Sequence, residues 1–274
     1  MRINHNIAAL NASNRLKAND NSISKNLQKL SSGYRINSAA DDAAGLAVSE
    51  KMRAQINGLN QAEDNAQNGI SLIQTAEGGL NETESILQRM NTLAVESANG
   101  TYQDTDDRPN LQKEVTALIA EVNRIASSTN FNGTTLLDGT ATNLVFQIGS
   151  DNTASQQVSL SIATMTATGL TIDGVDISTL TGAQTAIDAI KSAIKAVSGA
   201  RADLGAMQNR LEHTTNNLST MSENLTSAES TIRDVDMSSE MVDLTKNQIL
   251  EQAATSMLAQ ANAQPQNVLS LLKG

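Results

Sequence analysis

The residue types that catalysis or metal binding would need are few: His5, His213 and the acidic turn Asp104, Asp106 and Asp107. His213 stands beside Glu212 with no second histidine three or four positions away, so the ligand spacing of a helical metal site is missing. The aspartate run has neither the glycine nor the distal glutamate of a calcium loop and reads as a solvated turn. Cys is absent from all 274 residues, which removes disulfides, thiolate ligands, thiol nucleophiles and iron–sulfur chemistry. No catalytic, cofactor or metal constellation is expected. What remains is association through surfaces, so the elements that carry those surfaces decide the reading. Two short polar signals help to place them: Asp41-Asp42 ahead of Ala43-Ala44, and Ser238 after Asp236, each read as a helix N-cap.

The bulk composition narrows the architecture. Two Phe, two Tyr and no Trp argue against a thick globular core and for a thin, helix-dominated particle. The formal charge of −10, from 19 Lys+Arg against 29 Asp+Glu, disfavours general nucleic-acid binding, because an acidic chain repels phosphate backbones. No stretch approaches the roughly 18 apolar residues of a membrane span, so no membrane insertion is expected. The opening Met1-Arg2-Ile3-Asn4-His5-Asn6 runs into amphipathic sequence without the apolar core of a cleavable signal, which predicts a cytoplasmic protein or one exported by another route.

Along the chain the pattern is helical, then β-like, then helical. A first imperfect stripe of Ile3, Ile7, Leu10, Leu16, Ile23, Leu27, Leu30 and Tyr34 is broken at Ser31-Ser32-Gly33. A second run, Leu59, Ala62, Ala66, Ile70, Ile73, Ala76, Leu80, Thr83, Leu87, Met90 and Ala94, steps by three and four. A mean step of about 3.5 residues is a coiled-coil seam, which needs a partner helix. Leu111, Val115, Leu118, Val122 and Ile125 mark a third helix, folded back antiparallel through the turn around Asn99-Gly100 and Arg108-Pro109. Between Thr129 and Leu180, turn pairs such as Asn132-Gly133 and Asp138-Gly139 punctuate strand candidates at 134–137, 144–148, 158–162 and 170–172. So small a region must lean on the helices. The seam spacing returns at Ile190, Ile194, Val197, Ala200, Leu204, Met207, Leu211, Thr214, Leu218, Met221, Leu225, Ala228, Ile232 and Val235. A last stripe of Met241, Leu244, Ile249, Ala253, Met257, Leu258 and Ala261 runs to Pro265, with Leu269 and Leu272 beyond it.

The expected fold is mainly α: long antiparallel coiled-coil helices, paired N- and C-terminal helices, and a small β region in the middle of the chain. The divisions are 1–40 plus 236–274 for the terminal helices, 41–140 plus 182–235 for a helical rod with a hairpin near 130–140, and 141–181 for an outward β region. Residues 1–37 carry six basic groups against Asp20, whereas 234–274 carry five acidic groups against Lys246 and Lys273. Opposite charge on the two end segments favours their pairing, within a chain or between copies.

Particular strings then stand out: Met1-Arg2-Ile3-Asn4-His5-Asn6-Ile7-Ala8-Ala9-Leu10, Leu30-Ser31-Ser32-Gly33, Ala39-Ala40-Asp41-Asp42-Ala43-Ala44-Gly45-Leu46-Ala47, Arg201-Ala202-Asp203-Leu204-Gly205, Arg233-Asp234-Val235-Asp236 and Met257-Leu258-Ala259-Gln260-Ala261-Asn262. In this order they resemble bacterial flagellin, the subunit of the flagellar filament, over roughly 1–140 and 185–274. The resemblance implies a structural, non-enzymatic, extracellular homopolymer for swimming motility, exported unfolded through the flagellar type III apparatus. Ends disordered until polymerisation would then line a central channel, with Ile3, Ile7, Leu10, Leu27, Leu30, Met241, Leu244, Ile249, Met257, Leu258, Leu269 and Leu272 as polymerisation residues. The rod seam would comprise Leu59, Ile70, Ile73, Leu80, Leu87, Leu204, Leu211, Leu218, Leu225 and Ile232. Implied partners are an export chaperone on 241–272, the filament cap and hook-junction proteins. The segment around Gln88-Arg89-Met90 is also similar to the surface gripped by a vertebrate toll-like receptor, which makes Arg89, Leu93 and Glu114 its contacts. Arg89 and Leu93 lie off the seam and are expected to point outward.

Overall fold

In the computed structural model, residues 6–273 are described, with side-chain surroundings for 6–264. The elements are α1 (Ile7–Ser32), α2 (Ala43–Ser97), α3 (Asp107–Ser128), β1 (Asn130–Phe131), β2 (Thr134–Thr135), β3 (Leu144–Gln147), β4 (Gln157–Leu160), α4 (Leu180–Arg233) and α5 (Met237–Lys273). They group into two compact units, Met1–Ala54 with Asn224–Gly274, and Gln55–Glu223.

Helix ends follow local chemistry. Asn6 accepts from Ala9 N at 3.1 Å to start α1, and Gly33 ends it at φ 75°, a left-handed conformation that costs glycine nothing. Asp42 Oδ1 accepts from Gly45 N at 2.9 Å and caps α2 as expected. Asp41 does not share that role: its Oδ2 turns back to Asn37 N, Ser38 N and Ser38 Oγ, because one carboxylate already fills the cap. These donors hold its pKa below the ordinary carboxylate value, the Ser38 hydroxyl foremost. Asp236, not Ser238, caps α5, accepting from Ser238 N at 2.9 Å and Ser239 N at 3.2 Å. Ser238 already lies inside the first turn, where its own N–H is one of the orphans.

In the unit Gln55–Glu223, α2 and α4 pack antiparallel over Leu59, Ala62, Ala66, Ile73, Ala76, Leu80, Leu87, Met90, Ile190, Val197, Leu204, Leu211 and Leu218, all buried. Arg201 joins them by pairing with Glu84 and, at 3.7 Å, with Glu77. Helix α3 lies antiparallel on α2 through Val115, Ile119, Val122 and Ile125. Two antiparallel hairpins complete this unit, β1–β2 and β3–β4. The first turns through Asn132 (φ 48°) and Gly133 (φ 80°), the paired positive φ of a tight hairpin. In the second, Leu144 faces Leu160 and Phe146 faces Val158, so one face meets the helices while Val145 points out.

Segment 170–172 is a turn rather than the strand its composition suggested. Leu170 N donates to Thr166 O at 2.9 Å and Ile172 N to Ala167 O at 2.9 Å, with Thr171 at φ 57°. With Gly169 before it and Asp173-Gly174 after it, three residues have no neighbouring strand to pair with and bury Leu170 and Ile172 individually. The whole 129–180 region shares one core with the helices. Polar helix side chains bind its irregular backbone: Gln112 donates to Val175 O at 3.2 Å and accepts from Ile177 N at 2.7 Å, and Asn123 accepts from Ala167 N at 2.9 Å. Asn65 donates to Gln147 O at 3.1 Å and Ser97 Oγ to Ile177 O at 2.6 Å. These contacts supply partners that a longer sheet would otherwise provide.

Candidate assembly surface

In the other unit, α1 and α5 lie antiparallel. Asn6 Nδ2 donates to Ala261 O at 2.8 Å, Asn19 Nδ2 to Asn247 O at 2.7 Å, and Lys29 Nζ stands 3.7 Å from Glu240. The basic and acidic end segments therefore pair within the chain. Between them little is buried: Leu244 on α5, and on α1 a single residue, Asn26. Leu30 and Leu258 are half-buried. Ile7, Leu10, Leu27, Met241, Ile249 and Met257 stay exposed, from 50% for Met241 to 65% for Met257, together with Val242 at 67%. Ile3 lies outside the described residues, as does His5, and the side chains of Leu269 and Leu272 lie outside the described side chains. Two helices can cover only one narrow face of each other, so among the described residues the remaining apolar positions stay exposed.

A collar ties the inner ends of this pair together. Arg35 N donates to Arg233 O at 2.7 Å and Val235 N to Gly33 O at 3.0 Å, bridging Tyr34 and Asp234 in antiparallel fashion. The Arg233 guanidinium sits 4.7 Å over the Tyr34 ring and donates to Glu50 Oε1 at 2.7 Å. That hydrogen bond holds the Glu50 carboxyl below its ordinary pKa. Leu225 and Ile232 of the proposed seam are half-buried in this unit, and Ile70 is half-buried against the core of the other.

Arg89 and Glu114 meet across α2 and α3, with Nε to Oε1 at 2.8 Å and both side chains about half exposed. Leu93 does not point outward: it is 1% exposed and belongs to the core. The seam spacing describes one face of α2, but α3 and the β region cover further faces, which draws in Leu93 and Leu72. His213 is exposed on α4. Asp104 pairs with Arg108, and Asp107 accepts from Gln103 N at 3.0 Å, so the acidic turn is engaged in local structure. Among the described residues no group of three or more His, Cys, Asp or Glu is placed to hold a metal, and no helix is long and apolar enough to cross a membrane.

Arg108 was not singled out by spacing or motif. It is 4% exposed, and donates from Nε to Ser97 O at 2.8 Å, from Nη2 to Asn99 O at 3.0 Å and from Nη1 to Asp104. A cation at the C-terminal end of α2 satisfies carbonyls that the helix leaves unpaired and opposes its dipole. The available signal was an arginine immediately following an acidic turn, opposite a helix end.

Two family models match the chain. A family model described as the bacterial flagellin N-terminal helical region matches residues 3–142, and one for the flagellin C-terminal helical region matches 187–272. The chain belongs to the bacterial flagellin family. A flagellin of Bacillus subtilis (strain 168) is 52% identical over 306 residues, covering 100% of both chains. A flagellar filament 33 kDa core protein of Treponema phagedenis is 51% identical, again over 100% of both. Among solved structures, Bacillus cereus flagellin is 33% identical with a TM-score of 0.50, covering 57% of this chain and 88% of that one. A putative flagellar hook-associated protein from Vibrio parahaemolyticus gives a TM-score of 0.58 at 16% identity, over 70% of this chain and 99% of that one, a likeness of fold alone. The stretch the two flagellin regions leave between them, 143–186, contains the hairpin β3–β4 and the turn at 170–172.

Proposed function

We propose that this chain is a structural subunit that self-assembles into the extracellular bacterial flagellar filament used for swimming, with segments 1–40 and 236–274 driving polymerisation around a central channel. The observation that carries this reading is the uncovered apolar surface of the α1–α5 pair, Ile7, Leu10, Leu27, Met241, Val242, Ile249 and Met257, in a chain similar throughout its length to a flagellar filament core protein. Further copies are the occupant that fits: surfaces on different sides of one helix pair meet heterologously and give an open helical polymer. In this reading 41–140 with 182–235 form the rod, its seam closed before assembly, and 141–181 face outward. Export unfolded through the flagellar type III apparatus, an export chaperone on 241–272, and contact with cap and hook-junction proteins complete the proposal. The exposed Arg89–Glu114 pair is the candidate contact for a toll-like receptor; Leu93, buried in this chain, would support that turn of α2 from beneath.

The test is assembly. Purified full-length chain, seeded or salted, is expected to form thin helical fibres by electron microscopy. Removal of 1–37 or 238–274 is expected to leave a soluble, still helical fragment by circular dichroism. A truncated chain that assembled as well as the full one would refute the role given to the ends.

A further inference from the structure

We propose that Asn26 fixes the register in which α1 and α5 pair, and so decides which apolar residues the pair presents to another copy. The apolar contacts between these helices do this only in part. On α5 the buried apolar residue is Leu244, whose place a slide of three or four residues gives to Asn247 or Gln248 in one direction but to Met241 or Glu240 in the other. A three-residue slide toward Met241 therefore keeps that position apolar, and the exposed Met241, Ile249 and Met257 are indifferent to register. Asn26, by contrast, is the buried residue of α1. Its surroundings fix the amide orientation: Nδ2 donates to Glu240 Oε1 at 3.1 Å and to Ser22 O at 2.9 Å, while Oδ1 accepts from Asn247 Nδ2 at 3.2 Å. Both α5 partners are anchored further, Glu240 by Lys29 at 3.7 Å and Asn247 through its carbonyl by Asn19 at 2.7 Å.

The two partners sit on different turns of α5, and sliding exchanges both at once. A slide by three or four residues in one direction replaces Glu240 and Asn247 by Asp243 and Leu250, or by Leu244 and Glu251. In the other direction it brings Met237 and Leu244, or Asp236 and Asp243. None of the residues arriving at the Asn247 position carries a side-chain N–H. Every one-turn slip therefore leaves Asn26 Oδ1 buried without its donor, a loss comparable to a missing hydrogen bond, and this includes the slip that leaves an apolar residue, Met241, in the place of Leu244. A single buried asparagine is known to specify alignment in coiled coils for this reason. The proposal deepens the assembly reading and rests on it only in its last step, the surface offered to another copy.

The absence of Cys makes the register measurable in the full chain. Ala18 and Leu250 line one groove between the two helices. The pair Ala18→Cys with Leu250→Cys reports the native alignment, and Ala18→Cys with Lys246→Cys or Ala254→Cys reports a slip of one turn. Added Asn26→Leu is expected to lower the ratio of native to slipped cross-links by about five-fold, the worth of roughly one net hydrogen bond. Glu240→Gln keeps an acceptor at the same place and should keep the native ratio. Asn247→Ala removes the donor and should shift the ratio in the same sense as Asn26→Leu, which provides a reading even if a buried leucine disturbs α1. An unchanged ratio in both Asn26→Leu and Asn247→Ala would overturn the proposal. Failure of the parent chain to form fibres would instead refute the assembly reading, leaving the cross-link ratios to stand on their own.

Discussion

Replacing Arg108 by Met should be among the most damaging single changes in the unit Gln55–Glu223, and the structure gives the scale. The guanidinium is 4% exposed and serves Ser97 O, Asn99 O and Asp104. Methionine fills similar length but donates nothing. Ser97 O lies in a buried setting and bears a desolvation penalty of about 1–3 kcal/mol when unpaired. Asn99 is exposed, so its carbonyl recovers water and adds a smaller loss. Removing the cation from the end of α2 adds about 0.3–1 kcal/mol. The sum is roughly 2–4 kcal/mol, which for a unit of this size lowers Tm by about 5–15 °C. Arg108→Lys keeps the charge but cannot reach both carbonyls with a planar fork, so about half the loss is expected. Asp104→Asn separates the carbonyl cap from the ion pair: Asp104 is 60% exposed, and an ion pair with one exposed partner should contribute below about 1 kcal/mol. Calorimetry and urea unfolding of the full-length variants supply the measurement. If Asp104→Asn cost as much as Arg108→Met, or if Arg108→Met were neutral, the cap of α2 would not be what this arginine provides.

Two further changes probe the same unit. Gly79→Ala should destabilise it despite the roughly 1 kcal/mol that alanine gains in a helix interior, because the new Cβ would stand 2.8 Å from Thr129 Oγ1 and 2.9 Å from Leu137 Cδ1, the latter fully buried; a higher urea midpoint would contradict this. Asp138 accepts from Thr135 Oγ1 at 2.5 Å, Thr140 Oγ1 at 2.6 Å and Thr140 N at 2.8 Å, and these donors, Thr135 first, hold its pKa below the ordinary value. The unfolded chain then binds this proton more readily than the folded one, so the contribution is fully present above about pH 4 and lost as pH falls through the lower folded value. The stability difference between the parent and Asp138→Asn should accordingly shrink on acidification below about pH 4; a difference independent of pH would remove the carboxylate from the account.

Periodicity made the long helices legible because each seam position repeats the same physical demand. Leu59, Ile73, Leu80 and Leu87 needed a partner, and α4 supplies it with Leu218, Leu211 and Leu204. What periodicity could not carry was the number of partners. Leu93 falls off the seam and is nevertheless buried, since α2 is also covered by α3 and by the irregular chain after it. The middle region was legible as turns and short apolar runs but not as topology. A strand exists only if another pairs with it, so 144–147 found 157–160 while 170–172 found none. The polar anchors escaped for a related reason. Gln112, Asn123 and Arg108 act on backbone groups distant in sequence, and nothing in the local string distinguishes them from solvated helix residues.

The two units obey the same spacing rule with opposite outcomes, and geometry explains the difference. In Gln55–Glu223 a third helix and two hairpins close around the seam, so apolar positions on several faces reach zero exposure. In the other unit the long contact is between α1 and α5, and a two-helix contact shields a single stripe. Leu244 is covered, whereas Ile249 and Met257 on the same helix are not. With so little apolar contact within the pair, its alignment falls to polar residues, and its outward apolar residues remain available to other copies. A substitution that buried those residues within the chain, such as an added covering helix, would stabilise the single molecule and remove the surface through which the proposed polymer grows. Conversely, a polar residue at Ile249 should leave the unfolding free energy of the isolated chain, read by urea unfolding, within about 0.5 kcal/mol of the parent, as expected for an exposed site, while reducing fibre growth. Equal growth would show that this face of α5 is not where copies meet.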